Sequence, residues 1–291
     1  MQGRIVQNIS NQYEVEAGNS IYDSQARGKF KNEDITPVVG DNVIIEITDE
    51  NNKKAVITNI LERKVYIKRP KIANITQIIF VVSLKNPKPD LLLLDKQLAF
   101  AEFLGVKSVI IFNKIDLDSK YSEITELYKK IGYKVIETVA KEKVGIDEVK
   151  KVLKGETSAF SGNSGVGKST LINAIFNNNT AEEGEISKRN KRGKNTTTAI
   201  KLYKLDDNTY IADTPGFSTF EISEINSENL DQYFIEFRNP ISNCEFIGCS
   251  HIKEEGCGVK EAVKKGEINI SRYENFCKIY DDLKEKEKRK W

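Results

Sequence analysis

The chain has 291 residues, enough for two or three domains with separate hydrophobic cores. Its 45 basic and 43 acidic residues leave a formal charge of only +2, so the overall charge argues neither for nor against a nucleic-acid partner. The apolar runs are too short to cross a bilayer, and the N-terminus lacks the charged-then-apolar pattern of a signal segment. We therefore expect a cytoplasmic protein with reduced thiols and no membrane partner.

Residues 1–70 predict a domain of short β-strands separated by turns. Turn-forming residues are concentrated at 17–19, 37–41 and 50–52. So many short strands in so small a span favour a barrel of the OB kind, and another small barrel or sandwich is the alternative. The strand-like runs are Ile5–Val6, Tyr13–Val15, Asn42–Ile47 and Ala55–Ile60.

From about residue 78 the pattern changes to apolar runs that alternate with helical stretches. Residues 78–82 and 109–112 predict strands buried on both faces of a parallel sheet, and residues 92–104 predict a helix between them. This alternation indicates a doubly wound α/β domain, to which we assign residues 71–221. The remaining residues, 222–291, are polar, predicted to be mainly helical, and contain all the cysteines.

The segment from Gly162 to Ser169 has the phosphate-loop pattern G-x-x-x-x-G-K-S between an apolar strand and a predicted helix. In such a loop the backbone N–H groups point at phosphate oxygens at a helix N-terminus, although the same residue types also occur in ordinary turns. We expect Lys168 to contact the β- and γ-phosphates during catalysis, and the Ser169 hydroxyl to ligate Mg²⁺. The predicted nucleotide-binding residues here are Gly162, Asn163, Ser164, Gly165, Val166, Gly167, Lys168, Ser169 and Thr170.

Two later segments predict the switches of a GTPase. Asp213 begins the sequence D-T-P-G after a short predicted strand; it is expected to hold Mg²⁺ through water, and the Gly216 N–H is expected to approach the γ-phosphate in catalysis. An earlier threonine-rich segment should supply a Mg²⁺-ligating catalytic switch residue. Thr197 is the prediction and Thr196 the next choice, and a solvated threonine-rich loop is the plain alternative.

Asn113-Lys114-Ile115-Asp116 is the N-K-x-D pattern that recognises guanine. It follows a predicted buried strand, so it lies at a carboxyl end, where ligands bind in such sheets. Asp116 can accept hydrogen bonds from the N1–H and the exocyclic amine of guanine, and adenine offers no such pair. Lys114 can cover the base and Asn113 can hold the loop. Together with the phosphate loop, this motif predicts GTP rather than ATP.

The three motifs occur in the order base, phosphate loop, switch, whereas an ordinary small GTPase begins with the phosphate loop. This order indicates a circularly permuted domain. Phe217 follows the D-T-P-G segment, where many GTPases place the glutamine that orients the attacking water. We therefore predict slow hydrolysis in the absence of a partner.

Three cysteines and the single histidine of the chain stand within fourteen residues. Three thiolates and one imidazole make a closed tetrahedral zinc site of the structural kind. The alternative is a set of buried free cysteines beside a surface histidine. Cys277 has no obvious partner and is interpreted as a core thiol. The predicted ligands are Cys244, Cys249, His251 and Cys257.

Two basic segments favour contact with RNA. Residues 188–194 carry five positive charges in seven positions, more than one nucleotide requires, and Arg27–Lys31 forms a basic–aromatic turn of the barrel. A solvated loop, or a loop that serves the phosphates of GTP, is the plain alternative for the first.

With these motifs the chain resembles the family of ribosome-small-subunit-dependent GTPase A, also called RsgA or YjeQ. The resemblance implies an OB-fold, a circularly permuted GTPase domain and a zinc-binding helical domain. It also implies a role in late maturation of the small ribosomal subunit, with hydrolysis stimulated by that subunit and contact with its rRNA; we expect a monomer. Further matching segments are Arg27–Phe30, Pro37–Asp41, Lys68–Pro70, Ala73–Asn74, Leu94–Lys96 and Arg272–Phe276.

Two departures from the family pattern bear on function. Asn195 stands where the family usually has a histidine in the first switch, so no catalytic role is carried over to it. Val139-Ala140-Lys141 stands where the family often has Ser-Ala-Lys, and we expect Ala140 and Lys141 to keep backbone contact with guanine. Asn195 and Phe217 leave open a non-enzymatic alternative, a guanine-nucleotide-gated rRNA-binding module.

Overall fold

The computed structural model describes residues 1–28, 30, 35–118, 121–176, 200–213 and 224–289. Contacts divide the chain into two compact units. The first unit contains Met1–Ile79 and Ala140–Ser218, and the second contains Phe80–Val139 and Thr219–Trp291. The three-domain division at 1–70, 71–221 and 222–291 follows the order of the sequence motifs and stays a prediction.

The N-terminal strands close into a five-stranded barrel. β1 pairs with both β2 and β4, β3 pairs with β2 and β5, and β4 pairs with β5, so the hydrogen-bonded ring is complete. Ile5, Val15, Val43 and Ile57 are fully buried inside it. The predicted N-terminal barrel is therefore confirmed. Its strands are β1 (Gln2–Ile9), β2 (Gln12–Ala17), β3 (Ser20–Ala26), β4 (Asn42–Asp49) and β5 (Lys54–Ile60).

Strand β3 was not among the predicted strands, and its side-chain pattern explains why. Tyr22 and Ser24 point inward, whereas Ile21 is 54% exposed, so the apolar residue expected at an inward position faces outward. Ser24 is tolerated in the interior because its hydroxyl donates a hydrogen bond to the Tyr22 carbonyl at 3.2 Å.

A short hairpin, β6 (Tyr66–Lys68) and β7 (Lys71–Ala73), is joined tightly to the barrel. Gly40 has φ +91°, and a Cβ there would lie 2.0 Å from the Ala73 carbonyl oxygen, so only glycine fits. The Asn74 amide donates to the Gly40 carbonyl at 3.1 Å. Arg63 donates hydrogen bonds to both oxygens of the buried Asp41 carboxylate, at 2.7 and 2.8 Å. Pro37–Asp41 and Ala73–Asn74, two of the segments that match the family pattern, thus meet at one junction between the barrel and the hairpin.

The second unit contains the strands that lead to the N-K-x-D motif. The strand order is β10-β9-β8, and β10 runs parallel to β9. Ile110, Ile111 and Phe112 are fully buried, as the apolar run predicted. The elements are β8 (Gln77–Ser83), whose first three residues belong to the first unit, α1 (Leu91–Leu104), β9 (Lys107–Asn113), α2 (Tyr121–Ile131) and β10 (Lys134–Thr138).

The phosphate loop belongs to the first unit, together with the barrel. β11 pairs parallel with β13, and β13 pairs antiparallel with β12. β12 also pairs with barrel strand β1, where Lys201 lies opposite Gln7. The elements are α3 (Ile146–Leu153), β11 (Thr157–Ser161), α4 (Lys168–Phe176), β12 (Lys201–Asp206) and β13 (Thr209–Asp213).

The C-terminal part of the second unit is mainly helical, as predicted. Three 3₁₀ turns, at Ser227–Tyr233, Ile235–Phe237 and Pro240–Asn243, precede α5 (Gly258–Lys264) and α6 (Ile270–Lys288). Its core is aromatic and includes Phe234, Phe237 and Phe276, with ring centroids 4.9–5.3 Å apart. None of the helices in the described part of the chain combines the length and the apolar character needed to span a membrane.

Candidate functional site

The phosphate loop has the strand–loop–helix geometry that its sequence predicts. β11 is buried along its whole length, and α4 begins at Lys168 directly after the loop. Gly165 and Gly167 take the positive φ values of +81° and +101° that this turn requires. Ser164, Ser169 and Thr170 are exposed. Val166 is only 3% exposed, so its side chain faces the interior.

Lys168 folds back over the phosphate loop. Its ammonium group donates to the backbone carbonyls of Gly162 and Asn163, the second at 3.0 Å. Burial lowers the pKa of Lys168, because the cation has lost part of its hydration. A phosphate group at this loop would offer the ammonium a charged partner stronger than the two carbonyls.

The N-K-x-D loop begins at the carboxyl end of β9. Asn113 is 2% exposed, and its side-chain oxygen accepts a hydrogen bond from Thr138 Oγ1, at the end of the parallel neighbour β10, at 3.0 Å. Lys114 takes a left-handed φ of +64°, and its ammonium donates to the Asn86 carbonyl at 2.5 Å. Asp116 lies exposed in the 3₁₀ turn that follows. The loop is thus held from two sides while its carboxylate stays accessible.

The structure describes only some of the other residues predicted to bind the nucleotide or Mg²⁺. Ala140 is buried and Lys141 is exposed in a 3₁₀ turn of the first unit. Asp213 ends strand β13, but its side chain lies outside the described part. Also outside it lie the switch residues Thr196, Thr197, Gly216 and Phe217, with Asn195 and the basic segment 188–194.

The three cysteines and the histidine predicted as zinc ligands come together in the second unit. One donor atom from each residue lies within 4.8 Å of the others. His251 presents Nδ1 to the cluster, 3.3 Å from the Cys257 sulfur and 3.6 Å from the Cys244 sulfur. Cys277 is half-buried on α6 and does not belong to the group. Cys244, Cys249, His251 and Cys257 could therefore hold one metal ion.

Groups around the cluster orient its ligands. Asp231 Oδ2 lies 3.2 Å from the His251 Nε2, the ring nitrogen that points away from the sulfurs. The backbone N–H of Gly258 donates to the Cys244 sulfur at 3.3 Å, and that of Lys260 donates to the Cys257 sulfur at 3.5 Å. A carboxylate behind a histidine and N–H groups on thiolates are the outer contacts that metal sites use.

The chemistry of the donor set fits zinc. His251 is 1% exposed, so the alternative of a surface histidine beside free thiols is excluded. Burial, with the neighbouring Cys257 and Cys244 groups, raises the pKa of Cys249 to about 12, so the thiolate form requires a cation beside it. Three sulfurs and one imidazole nitrogen at this spacing match the closed tetrahedral arrangement of a structural zinc site.

The basic–aromatic turn of the barrel borders a surface cleft of about 610 Å³. Arg27, Phe30 and Tyr13 are among the residues that line it. Arg27 is exposed and lies 2.5 Å from the Glu46 carboxylate. Tyr13 and Phe30 are only 2% and 5% exposed, so Arg27 is the member of this group that is open to the phosphates of a nucleotide strand.

Two residues that shape these sites were missed by the sequence analysis. Asp231 supports His251 from a 3₁₀ turn twenty positions earlier, and the Tyr273 hydroxyl donates to the His251 carbonyl at 2.7 Å. No local pattern marks Asp231. Tyr273 lies in Arg272–Phe276, a segment that matches the family pattern, and this match is the signal that could have identified it.

Comparisons with known proteins agree with this geometry. The family model of the RsgA GTPase matches residues 60–223, and that of the RsgA N-terminal domain matches residues 2–57. Two similar curated proteins are named small ribosomal subunit biogenesis GTPase RsgA. The one from Alkaliphilus metalliredigens is 40% identical, with 97% of each chain covered, and the one from Clostridium novyi is 42% identical, with 100% of each covered.

Two solved structures are similar along nearly the whole chain. The crystal structure of YjeQ from Thermotoga maritima gives a TM-score of 0.84 at 38% identity, covering 97% of this chain and 98% of the other. YloQ, described as a circularly permuted GTPase, gives 0.81 at 29% identity, covering 98% and 95%. With the closed barrel, the permuted motif order and the Cys₃His cluster, these matches confirm the resemblance: the chain belongs to the RsgA GTPase family.

Proposed function

We propose that this chain hydrolyses GTP to GDP and phosphate in late maturation of the small ribosomal subunit, and that the subunit stimulates hydrolysis. The observation that carries the proposal is the phosphate loop, in which Lys168 is held over a glycine-rich turn between a buried strand and a helix. Its sequence match to the RsgA GTPase and the names of the curated relatives support the reaction and the setting.

Each predicted residue keeps a role in this proposal. Asn113, Lys114 and Asp116 recognise guanine, with backbone contact from Ala140 and Lys141. Lys168, Thr197 and Gly216 stabilise the γ-phosphate during transfer. Mg²⁺ would be held by Ser169, Thr197 and Asp213, and its charge would offset that of the phosphates. The phosphate itself is bound by the loop from Gly162 to Thr170.

We assign the barrel and segment 188–194 to contact with rRNA, and the metal cluster to the stability of the C-terminal fold. The basic–aromatic turn with Arg27 supports rRNA contact by the barrel, and segment 188–194 is the second candidate. Zinc at Cys244, Cys249, His251 and Cys257 would stabilise the C-terminal fold without taking part in hydrolysis. We further infer a cytoplasmic monomer with domains at 1–70, 71–221 and 222–291.

GTP turnover by the purified full-length chain, with and without purified small ribosomal subunits, tests this function. A partner that completes a GTPase site raises kcat by about 10³–10⁵-fold, so we expect little hydrolysis alone and strong stimulation by the subunit. Large subunits and ATP are the controls, and neither should support turnover. Rapid hydrolysis without subunits would contradict the dependence on a partner. GTP binding without turnover in either condition would favour the non-enzymatic rRNA-binding alternative.

A further inference from the structure

Two family-like segments that have no role in nucleotide or metal binding meet inside the second unit. Asp95 lies on α1 and Arg272 on α6, and each is 1% exposed. Arg272 Nη1 lies 2.5 Å from Asp95 Oδ1, and the Asn275 side chain donates to Asp95 Oδ2 at 2.7 Å. The segments Leu94–Lys96 and Arg272–Phe276 therefore form one buried contact, although they are far apart in sequence.

The rest of the Arg272 side chain is also enclosed. Its Nε and Nη2 donate to the two carboxylate oxygens of Glu236 at 2.6 and 3.1 Å. The guanidinium carbon lies 4.6 Å from the centre of the Phe234 ring. Such a planar, bidentate arrangement allows one orientation of the side chain, and a lysine in its place could not reproduce it.

From this buried pair, contacts continue to the guanine-recognition loop. The Tyr128 hydroxyl on α2 donates to Asp95 Oδ1 at 2.7 Å. The Tyr128 ring packs against Phe112, with centroids 6.0 Å apart, and Phe112 directly precedes Asn113. Tyr128 lies on α2, the helix that follows the loop, and Phe112 lies on β9, the strand that precedes it. The contact between their rings therefore joins the elements on the two sides of the loop.

In the other direction, contacts continue to the metal cluster. On α6 the residues next to Arg272 and Asn275 are Tyr273 and Phe276, which share the adjacent face at i, i+3 spacing. The Tyr273 hydroxyl donates to the His251 carbonyl at 2.7 Å, and the Phe276 ring lies 6.2 Å from the His251 ring. One turn of α6 therefore contacts both a predicted zinc ligand and the ion pair that supports the N-K-x-D loop.

We propose that Arg272 is a positioning residue for guanine recognition: through Asp95 and Tyr128 it couples the metal cluster to the N-K-x-D loop. Binding of zinc to the cluster then holds the loop in the conformation in which Asp116 can accept hydrogen bonds from the N1–H and the 2-amino group of guanine. The proposal rests on the proposed function, because it assumes that this loop binds guanine. A buried ion pair is suited to the role, because it tolerates fewer geometries than an apolar contact does.

The decisive measurement compares two nucleotides on the full-length, zinc-loaded protein. GDP carries the 2-amino group that Asp116 would bind, and inosine diphosphate lacks it. Arg272→Lys should lower the ratio of the two affinities by about tenfold, and Tyr128→Phe, which keeps the ring and loses only the hydroxyl, should lower it by about threefold. A purely structural role would weaken both nucleotides equally and leave the ratio unchanged, which would overturn the proposal.

A matched control lies beside the buried pair. Lys96, next to Asp95 on α1, pairs with Asp282 on the same helix α6 at 2.5 Å, but both side chains are partly exposed. Lys96→Gln should leave the ratio unchanged because an exposed pair contributes little. If Arg272→Lys does not fold, Tyr128→Phe carries the test alone. An equal loss of the ratio in Lys96→Gln would also contradict a specific role of Arg272.

Zinc removal tests the other end of the coupling. Chelation should lower the GDP to inosine diphosphate ratio of the wild-type chain about as much as Arg272→Lys does, about tenfold, and should add little to that variant. A ratio that is unaffected by zinc removal would overturn the link to the metal cluster. Failure of the wild-type protein to prefer GDP over ADP would instead refute the proposed function, so the two failures are distinguishable.

Discussion

At the scale of single residues, Lys168 shows how a local motif holds a partly dehydrated cation where a phosphate would bind. The ammonium is partly buried and, among the residues that the structure describes, donates to backbone carbonyls of its own loop, which are neutral acceptors. Burial lowers the pKa of Lys168, so the nucleotide-free protein bears part of the cost of removing water from the cation. Binding of a phosphate would compensate for that cost.

We expect Lys168→Met to weaken GDP and GTP binding by about 30- to 150-fold, because a hydrogen bond to a charged group contributes about 2–3 kcal/mol. Equilibrium titration with a fluorescent guanine nucleotide measures this, and Lys151→Met, at an exposed lysine of α3, is the control. A variant that retains wild-type affinity would contradict the role of Lys168.

The same lysine predicts a pH dependence. Phosphate favours the protonated ammonium, so affinity should be highest while Lys168 is already protonated in the free protein. It should fall as pH rises through the pKa of the free protein, which lies below the usual 10.5.

At the scale of elements, the metal cluster depends on a 3₁₀ helix that supplies none of its ligands. The helix Ser227–Tyr233 places Asp231 behind His251, and α6 places Tyr273 on the His251 backbone. The ligand-bearing segment has little regular structure of its own, with His251 at a φ of +63°. Its geometry therefore comes from the elements around it.

Asp231→Asn should lower the zinc affinity by about 10- to 100-fold, because the carboxylate behind a metal-bound histidine fixes the ring and strengthens it as a ligand. Competition with a chromophoric chelator measures the release of zinc. Glu228→Gln, at an exposed position of the same 3₁₀ helix, should release zinc like the wild type. Equal zinc retention by the Asp231 variant and the control would show that the contact has no such role.

At the scale of the whole molecule, the barrel and the phosphate loop share one compact unit. β1 pairs with β12, and Glu16 of the barrel accepts hydrogen bonds from Lys204 at 2.6 Å and from Tyr210 at 2.8 Å. Arg4 adds a hydrogen bond to Thr157 at 3.0 Å. The barrel is therefore joined to the strands that flank the phosphate loop.

Glu16→Ala should destabilise this unit by about 1–2 kcal/mol, because the Tyr210 hydroxyl loses its acceptor while Lys204 stays partly hydrated. Hydrogen exchange should become faster in β1 and in β12–β13 together. Glu14→Ala is the control, since the Glu14 carboxylate lies 4.0 Å from Lys201 and is 41% exposed. Faster exchange in the barrel strands alone would show that the two parts do not unfold together.

Sequence alone was sufficient to predict the local structures that rest on neighbouring residues. The phosphate loop, the N-K-x-D loop and the Cys₃His spacing are local patterns, and so is the apolar run of β9, whose Ile110, Ile111 and Phe112 are fully buried. Strand β3 was missed because Ser24 lies inward and Ile21 outward, the reverse of the apolar-in, polar-out alternation expected of a strand.

Tertiary structure alone decided the contacts between distant positions. Asn275 binds Asp95 across 180 positions, and Asp231 stands behind His251, yet neither pair leaves a periodic or spaced pattern in the chain. The sequence by itself thus determined which chemistry the chain carries, because motifs are short and their geometry is local. Which groups support those motifs was decided by packing, because burial makes an ion pair specific only after the two helices have come together.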